Sequence, residues 1–320
     1  MRALVTGAGG FVGHYLCAYL LDHTNWEILG TVYPAPADQH QTHPRLRRVW
    51  ADLRDAPGVL ALLDDFEPDV LFHLAAQSFV PSSFADPWDT LENNIRSQLN
   101  ILEAVRKRER AVRVVVIGSN EEYGSPRQDE LPITEQSPIA PNNPYAVSKV
   151  AQDFLGLQYF LSYGVDVVRL RPFNHTGPGQ SPRFVVPAFA SQITRVEAGL
   201  QEPVLKVGNL DVERDFTDVR DVVRAYYLAA RHAAAGEVYN VAAGHPQSVH
   251  GLLGMLLSFS SAAIEVVVDP ERYRPADAPV AWGSADKLYR CTGWKPEIPF
   301  AQTLQDTLVY WRQQVGAQAA

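Results

Sequence analysis

Three side chains have the types and order needed to move a proton beside a carbonyl: Ser119, Tyr145 and Lys149. Asn143 and Pro144 form a helix start, a capping amide followed by a first-turn proline, so Tyr145 and Lys149 fall at i and i+4 on one face. Reducing a ketone requires a proton donor at the oxygen that becomes an alkoxide. A phenol, whose ordinary pKa is about 10, serves better when a neighbouring ammonium lowers that value, and a serine hydroxyl can bond the same oxygen. Alone, a Y-x-x-x-K spacing is common by chance and most often a surface pair. Ser119 gives it weight, because it ends a β-rich run at the carboxyl edge where open α/β sheets bind ligands.

A second constellation offers a place for the hydride carrier. Gly7, Gly10 and Gly13 follow the first β-rich run in Thr6-Gly7-Ala8-Gly9-Gly10-Phe11-Val12-Gly13 and open a helical pattern. A glycine turn lets a pyrophosphate approach the backbone, the helix N-terminus presents unpaired N–H groups to its charge, and the last glycine permits close helix-to-strand packing. A purely structural turn is the competing reading. In NAD-selective sites an acidic residue ends the second strand, but here that strand ends in Thr31-Val32-Tyr33, so NADP and NAD both stay open. Arg45, Arg47 and Arg48 lie downstream, either to meet a 2′-phosphate or as solvated surface groups.

Positioning these residues requires a doubly wound α/β fold. Short apolar β-rich runs recur at 3–6, 27–32, 70–73, 114–119 and 165–170, with helical patterns at 10–21, 86–110 and 144–163 between them. Nearly unbroken apolar strands separated by helices fit a parallel sheet covered on both faces. After Pro172 the regularity weakens. Helix signals remain at 184–198 and 219–231 and a strand signal at 237–241, with proline-rich punctuation at 269–279 and a polar tail at 313–320. The expected organisation is a dinucleotide-binding domain of residues 1–172 plus about 212–245, and a smaller α+β substrate lobe of 173–211 plus 246–320.

Composition narrows the partners. Of the 320 residues 46% are hydrophobic, and 28 basic against 36 acidic residues give a net charge of −8, which repels nucleic acid and anionic membranes from most of the surface. The basic run 106–110 ends a predicted helix, where cations favour the negative end of the dipole. Two distant cysteines, Cys17 and Cys291, and nine histidines without a C-x-x-C or H-E-x-x-H pattern suggest neither disulfide nor metal. No apolar run reaches a membrane span and the N-terminus lacks a secretory pattern, so a cytoplasmic protein is expected.

Together these residues resemble the extended short-chain dehydrogenase/reductases that act on nucleotide sugars, nearly end to end. The resemblance implies a Rossmann domain in which Gly7, Gly10, Phe11, Val12 and Gly13 hold the dinucleotide. Asp52, with Leu53, would meet its adenine, and Leu74, Ala75 and Ala76, in His73-Leu74-Ala75-Ala76-Gln77-Ser78, would line it. Tyr145 and Lys149 would contact it as well as act in catalysis. Gln77 and Ser78 would face the sugar, and Asn174, in Arg171-Pro172-Phe173-Asn174-His175, the diphosphate. Lys206, Asn209, Arg214, Arg274 and Asp277 lie in stretches most like the enzymes that handle GDP-mannose derivatives. Arg214 and Arg274 could grip a pyrophosphate, or form ordinary salt bridges. Two long helices correspond to those that family members pair into an intersubunit four-helix bundle, implying a homodimer.

Two activities follow from the resemblance. A GDP-mannose 4,6-dehydratase oxidises C4, removes the C5 proton with a glutamate and returns hydride to C6. The reductase that consumes its product delivers hydride from NAD(P)H to C4 of GDP-4-keto-6-deoxy-D-mannose, giving a GDP-6-deoxyhexose of the GDP-rhamnose type. Gly118-Ser119-Asn120-Glu121-Glu122-Tyr123-Gly124 puts Glu121 where the dehydratase carries its base. The chain is nonetheless short for that enzyme and lacks its arginine-rich insertion, and the stretches 173–180 and 216–221 look closer to the reductase. The reductase is therefore the expectation, with Glu121 orienting substrate or helping proton exchange. A catalytically silent dinucleotide sensor is the alternative from another class, and the intact trio argues against it.

Overall fold

The computed structural model describes residues 1–33, 43–108, 110–270 and 278–319. Strands and helices alternate through β1 (Arg2–Thr6), α1 (Phe11–His23), β2 (Glu27–Val32), β3 (Leu46–Trp50), α2 (Ala56–Phe66), β4 (Val70–His73), α3 (Val80–Ala85), α4 (Pro87–Arg106), β5 (Arg113–Ile117), α5 (Pro144–Tyr163) and β6 (Val167–Pro172). There follow β7 (Asn174–Thr176), α6 (Val185–Glu197), β8 (Val204–Val207), β9 (Glu213–Asp218), α7 (Val219–His232), β10 (Val238–Val241), β11 (Pro246–Ser248), α8 (Val249–Ser258), β12 (Glu265–Val268), β13 (Val280–Ala281), α9 (Asp286–Thr292) and α10 (Phe300–Ala319).

Seven strands make one sheet in the order β10-β6-β5-β4-β1-β2-β3, each pair parallel. Successive side chains on a strand point to opposite faces, and both faces of the central strands are covered, so most of their positions are apolar. Ala3, Val5, Val115 and Ile117 pack with Leu16 and Leu20 of α1 and Val222 and Tyr226 of α7. Their neighbours Leu4, Val114 and Val116 pack on the other face with Leu63 of α2 and Leu102 of α4. Strand order reverses between β1 and β4, which opens a crevice at their carboxyl ends where such sheets bind ligands. A third apolar cluster joins α6, α8 and α10 to β8 and β9. The small sheets are β11-β9-β13, with β7 also on β9, and β12-β8.

The structure modifies several expectations. β3 was absent from the strand pattern because its sequence, Leu-Arg-Arg-Val-Trp, is that of a charged sheet edge, and edge strands carry such charges to deter further pairing. The helix expected over 86–110 is α4, Pro87–Arg106, with the short α3 before it; Asp86 between them is out of helical geometry and caps α4, its Oδ1 accepting the Asp89 N–H at 3.0 Å. α4 ends at Arg106, and the basic run beyond it is spent on ion pairs of Arg108 with Asp64 and Arg110 with Asp69. The polar tail belongs to α10, whose Val315 is buried. The chain does return to the sheet through β10 beside β6.

Candidate active site

The carboxyl end of β5 and the first turn of α5 meet to form the proton-handling group. Asn143 Oδ1 accepts the Ala146 N–H at 2.8 Å and caps α5, which sets Tyr145 and Lys149 on the face turned to β5. Ser119 follows β5 and opens a 3₁₀ turn, Asn120–Tyr123, its Oγ accepting the Glu121 N–H at 3.2 Å. The Tyr145 phenol lies close enough to that hydroxyl for the serine to lower its pKa. Lys149 Nζ donates to Ile117 O at 2.8 Å and lies 5.9 Å from the centre of the Tyr145 ring. The three residues are 5%, 9% and 4% exposed, so all are largely withdrawn from solvent.

Their electrostatics differ from the expectation. Burial drives the Tyr145 phenol above its ordinary pKa, and the influence that pulls it back is the Ser119 hydroxyl rather than the Lys149 ammonium. Lys149 is itself burdened: burial lowers its pKa to about 8, partly opposed by the negative charge of Glu122. Glu121 does not stand free, because its Oε2 accepts Asn143 Nδ2 at 2.9 Å and is thereby tied to the cap of α5.

The glycine turn is built as a cradle. Gly7 has φ +69°, and a Cβ there would come within 3.0 Å of Ala75 N; one on Gly13 would lie 2.2 Å from Gly7 O. Phe11 and Val12 form the first turn of α1. Thr6 Oγ1 fixes the opposite wall by accepting the N–H groups of Leu74 and Ala75, both at 3.1 Å, with Ala76 next along the same loop. A cradle that admits no side chain beside a helix N-terminus fits a dinucleotide pyrophosphate. Asp52 and Leu53 follow β3, and Arg54 grips Asp52 with Nε–Oδ1 at 2.9 Å and Nη2–Oδ2 at 2.8 Å. This holds the Asp52 carboxyl below its usual range. Of the downstream arginines, Arg45 caps the last carbonyls of α1, Leu21 and Thr24, at the opposite edge of the sheet, and Arg47 pairs with Asp65.

The expected substrate residues divide. Ser78 is exposed and Asn174 half-buried on β7, both past the carboxyl edge of the sheet. Gln77 is occupied internally, its Nε2 donating to Thr90 Oγ1 at 3.1 Å and its Oε1 accepting Phe79 N–H at 2.6 Å. Lys206 points to solvent between the inward-facing Leu205 and Val207, because β8 alternates. Asn209 closes a turn by accepting the Asp211 N–H, and Arg214 on β9 donates to Glu213 O. Arg274 and Asp277 lie outside the described residues.

The GDP-mannose 4,6 dehydratase family profile matches residues 4–307. The chain belongs to this family. It is 40% identical to a GDP-6-deoxy-D-mannose reductase from Pseudomonas aeruginosa over 98% of both chains, and 30% identical to GDP-mannose 4,6 dehydratase 1 from Arabidopsis thaliana over 95% of this chain and 87% of that one. The RMD structure from Pseudomonas aeruginosa in complex with NADPH superposes with TM-score 0.87 at 39% identity, covering 98% of this chain and 99% of that one.

Within this member of the GDP-mannose 4,6-dehydratase family, sequence reading passed over an aromatic bridge. Phe79, after β4, meets Phe184 at the start of α6 edge to face, 6.0 Å between centres, and the Arg183 guanidinium lies 5.5 Å over the Phe79 ring. The Arg-Phe pair beside a helix start was the available signal. Arg54, whose Nη2 donates to the Tyr33 hydroxyl at 3.1 Å, was missed because the search stopped at the end of the second strand. Two buried groups under the cradle also went unread: His73 Nδ1 and the Thr6 hydroxyl are hydrogen-bonded at 2.9 Å, and burial lowers the imidazole pKa to about 3. A histidine kept neutral when folded but basic when unfolded contributes stability that is fully present above its unfolded pKa of about 6.5 and is lost as pH falls toward the folded value. Urea midpoints measured from pH 7 to 4 should therefore fall more steeply for the wild type than for His73→Gln; parallel curves would contradict a buried neutral imidazole.

Proposed function

We propose that this chain reduces the C4 ketone of a GDP-4-keto-6-deoxyhexose with NAD(P)H, forming a GDP-6-deoxyhexose. The observation that carries the reading is the arrangement at the end of β5: the Tyr145 phenol and the Lys149 ammonium share the face of α5 turned to Ser119, while Glu121, the acid a dehydratase would need free, is bonded to Asn143. The full-length 40% identity to a GDP-6-deoxy-D-mannose reductase supports the same direction.

The bound nicotinamide supplies the hydride. Ser119 Oγ and the Tyr145 hydroxyl would both hydrogen-bond the C4 oxygen, so that the Tyr145 proton moves onto it as charge develops. Lys149 would hold the nicotinamide ribose and, once turned from Ile117 O, favour the tyrosinate left behind. Gly7, Gly10 and Gly13 would receive the pyrophosphate. Ser78, Asn174 and Arg214, with Arg183 and the Phe79–Phe184 pair, would form the nucleotide-sugar side.

Glu121 favours dehydration as the second reading, since it sits two residues beyond Ser119, but its bond to Asn143 holds it as part of the helix cap. Purified protein given GDP-4-keto-6-deoxymannose and NADPH should consume the cofactor, and Tyr145→Phe should lower kcat at least about a hundredfold while cofactor still binds. Conversion of GDP-mannose without net NADPH use would establish the dehydratase instead.

A cytoplasmic homodimer is the remaining part of the proposal. No helix among the described residues is long and apolar enough to cross a membrane. Val147, Phe154 and Leu161 stand exposed on α5 at intervals of seven, beside exposed Trp88 and Leu99 of α4, an apolar stripe of the kind two helix pairs bury against each other. The double variant Phe154→Asp, Leu161→Asp should elute at half the wild-type mass in light scattering; an unchanged mass would exclude this face.

A further inference from the structure

A fully buried carboxyl group lies directly behind the catalytic strand, where neither substrate nor cofactor can touch it. Glu122 Oε1 accepts the backbone N–H of Ser119 at 2.8 Å. Its Oε2 is 2.9 Å from Arg171 Nε, yet the one proton on that nitrogen is aimed at Asp153 Oδ2, 2.8 Å away, so no donor is directed at Glu122 Oε2. Arg169 completes the cluster by donating to Asp153 Oδ1. Arg171 also donates to the Tyr123 hydroxyl at 3.0 Å, which in turn donates to Asn240 Oδ1 of β10 at 2.7 Å.

Two carboxyl and two guanidinium groups, each under a tenth exposed, thus occupy the space between α5, β6 and the turn after β5. Buried ion clusters add little stability over apolar packing of the same volume, so this one is better explained by what it does to its neighbours. The groups facing Glu122 are Lys149 and Asp153 from α5, Arg171 from β6 and the Ser119 amide from its own turn, with Tyr145 on the far side of Ser119. The negative charge of Glu122 opposes the loss of the Lys149 proton that burial promotes.

We propose that Glu122 is a positioning residue for the reduction: one oxygen fixes the Ser119 backbone, and its charge keeps the Lys149 ammonium protonated. The kinetic consequence rests on the proposed reduction; the consequence for Lys149 does not. Burial and Asp153 raise the Glu122 pKa, so Glu122 ionises on the alkaline side, where Lys149 would otherwise discharge. Each group holds the other charged there.

Glu122→Gln retains an oxygen for the Ser119 N–H but cannot ionise. The alkaline limb of its kcat/KM profile should move about one pH unit lower. Glu122→Leu removes the acceptor as well and should lose about tenfold in kcat at every pH besides. An unmoved limb in Glu122→Gln, or a uniform loss without a shift, would reduce Glu122 to a packing group and overturn the proposal. Because the chain has five lysines, ε-13C-lysine labelling with Lys149→Met as the assignment control reads the ammonium directly. Its titration should move down in Glu122→Gln whichever sugar is the substrate, and an unchanged titration also overturns the proposal. Wild-type protein that fails to reduce the keto sugar while Lys149 still shifts would fault the reduction, not the role of Glu122.

Discussion

A lysine ammonium withdrawn almost wholly from water is the constraint on which the catalytic edge depends. Removing such a charge from water costs several kcal/mol unless dipoles and counter-charges replace its hydration. Here the replacements come from three directions. The Ile117 carbonyl at the end of β5 accepts a hydrogen bond from Lys149 Nζ, the Glu122 carboxyl behind it supplies opposite charge once ionised, and α5 fixes the stem one turn after Tyr145. Glu122 in turn needs Arg171, and Arg171 is shared with Asp153, which Arg169 balances. A single buried cation thus dictates a chain of polar choices on β6, a strand that would otherwise read as plain core.

The cofactor edge follows a similar logic with neutral groups. Thr6 Oγ1 receives the Leu74 and Ala75 amides and hydrogen-bonds His73 Nδ1, whose imidazole burial keeps neutral. The loop after β4 is thereby held against Gly7 at a distance no side chain would allow. The crevice between β1 and β4 is shaped before any ligand arrives, so binding need not order it.

Local rules made much of this legible in the sequence. The strand pattern gave β2 and β4 to the residue, and Asn143-Pro144 gave the start and phase of α5, from which the sharing of a face by Tyr145 and Lys149 followed. What escaped was set by tertiary context. Arg169 and Arg171 sit in an apolar run that periodicity reads as strand but cannot populate with partners, since Asp153 lies on a helix 16 and 18 residues away. Gln77 was assigned to substrate by resemblance, yet Thr90 and Phe79 consume its amide. β3 was hidden by the arginines that suit it to an edge.

The adjacent glutamates show most sharply where sequence reading stops. Glu121 and Glu122 are chemically alike, and position two after Ser119 drew attention to the first. The 3₁₀ turn sends them in different directions, about 120° apart per residue. Glu121 emerges toward the cap of α5 and bonds Asn143, whereas Glu122 turns back under β5 into the core. The difference between a group able to abstract a proton from substrate and one that supports the proton donor from behind therefore lies in the conformation of four residues, Asn120–Tyr123, and not in which acids the sequence contains.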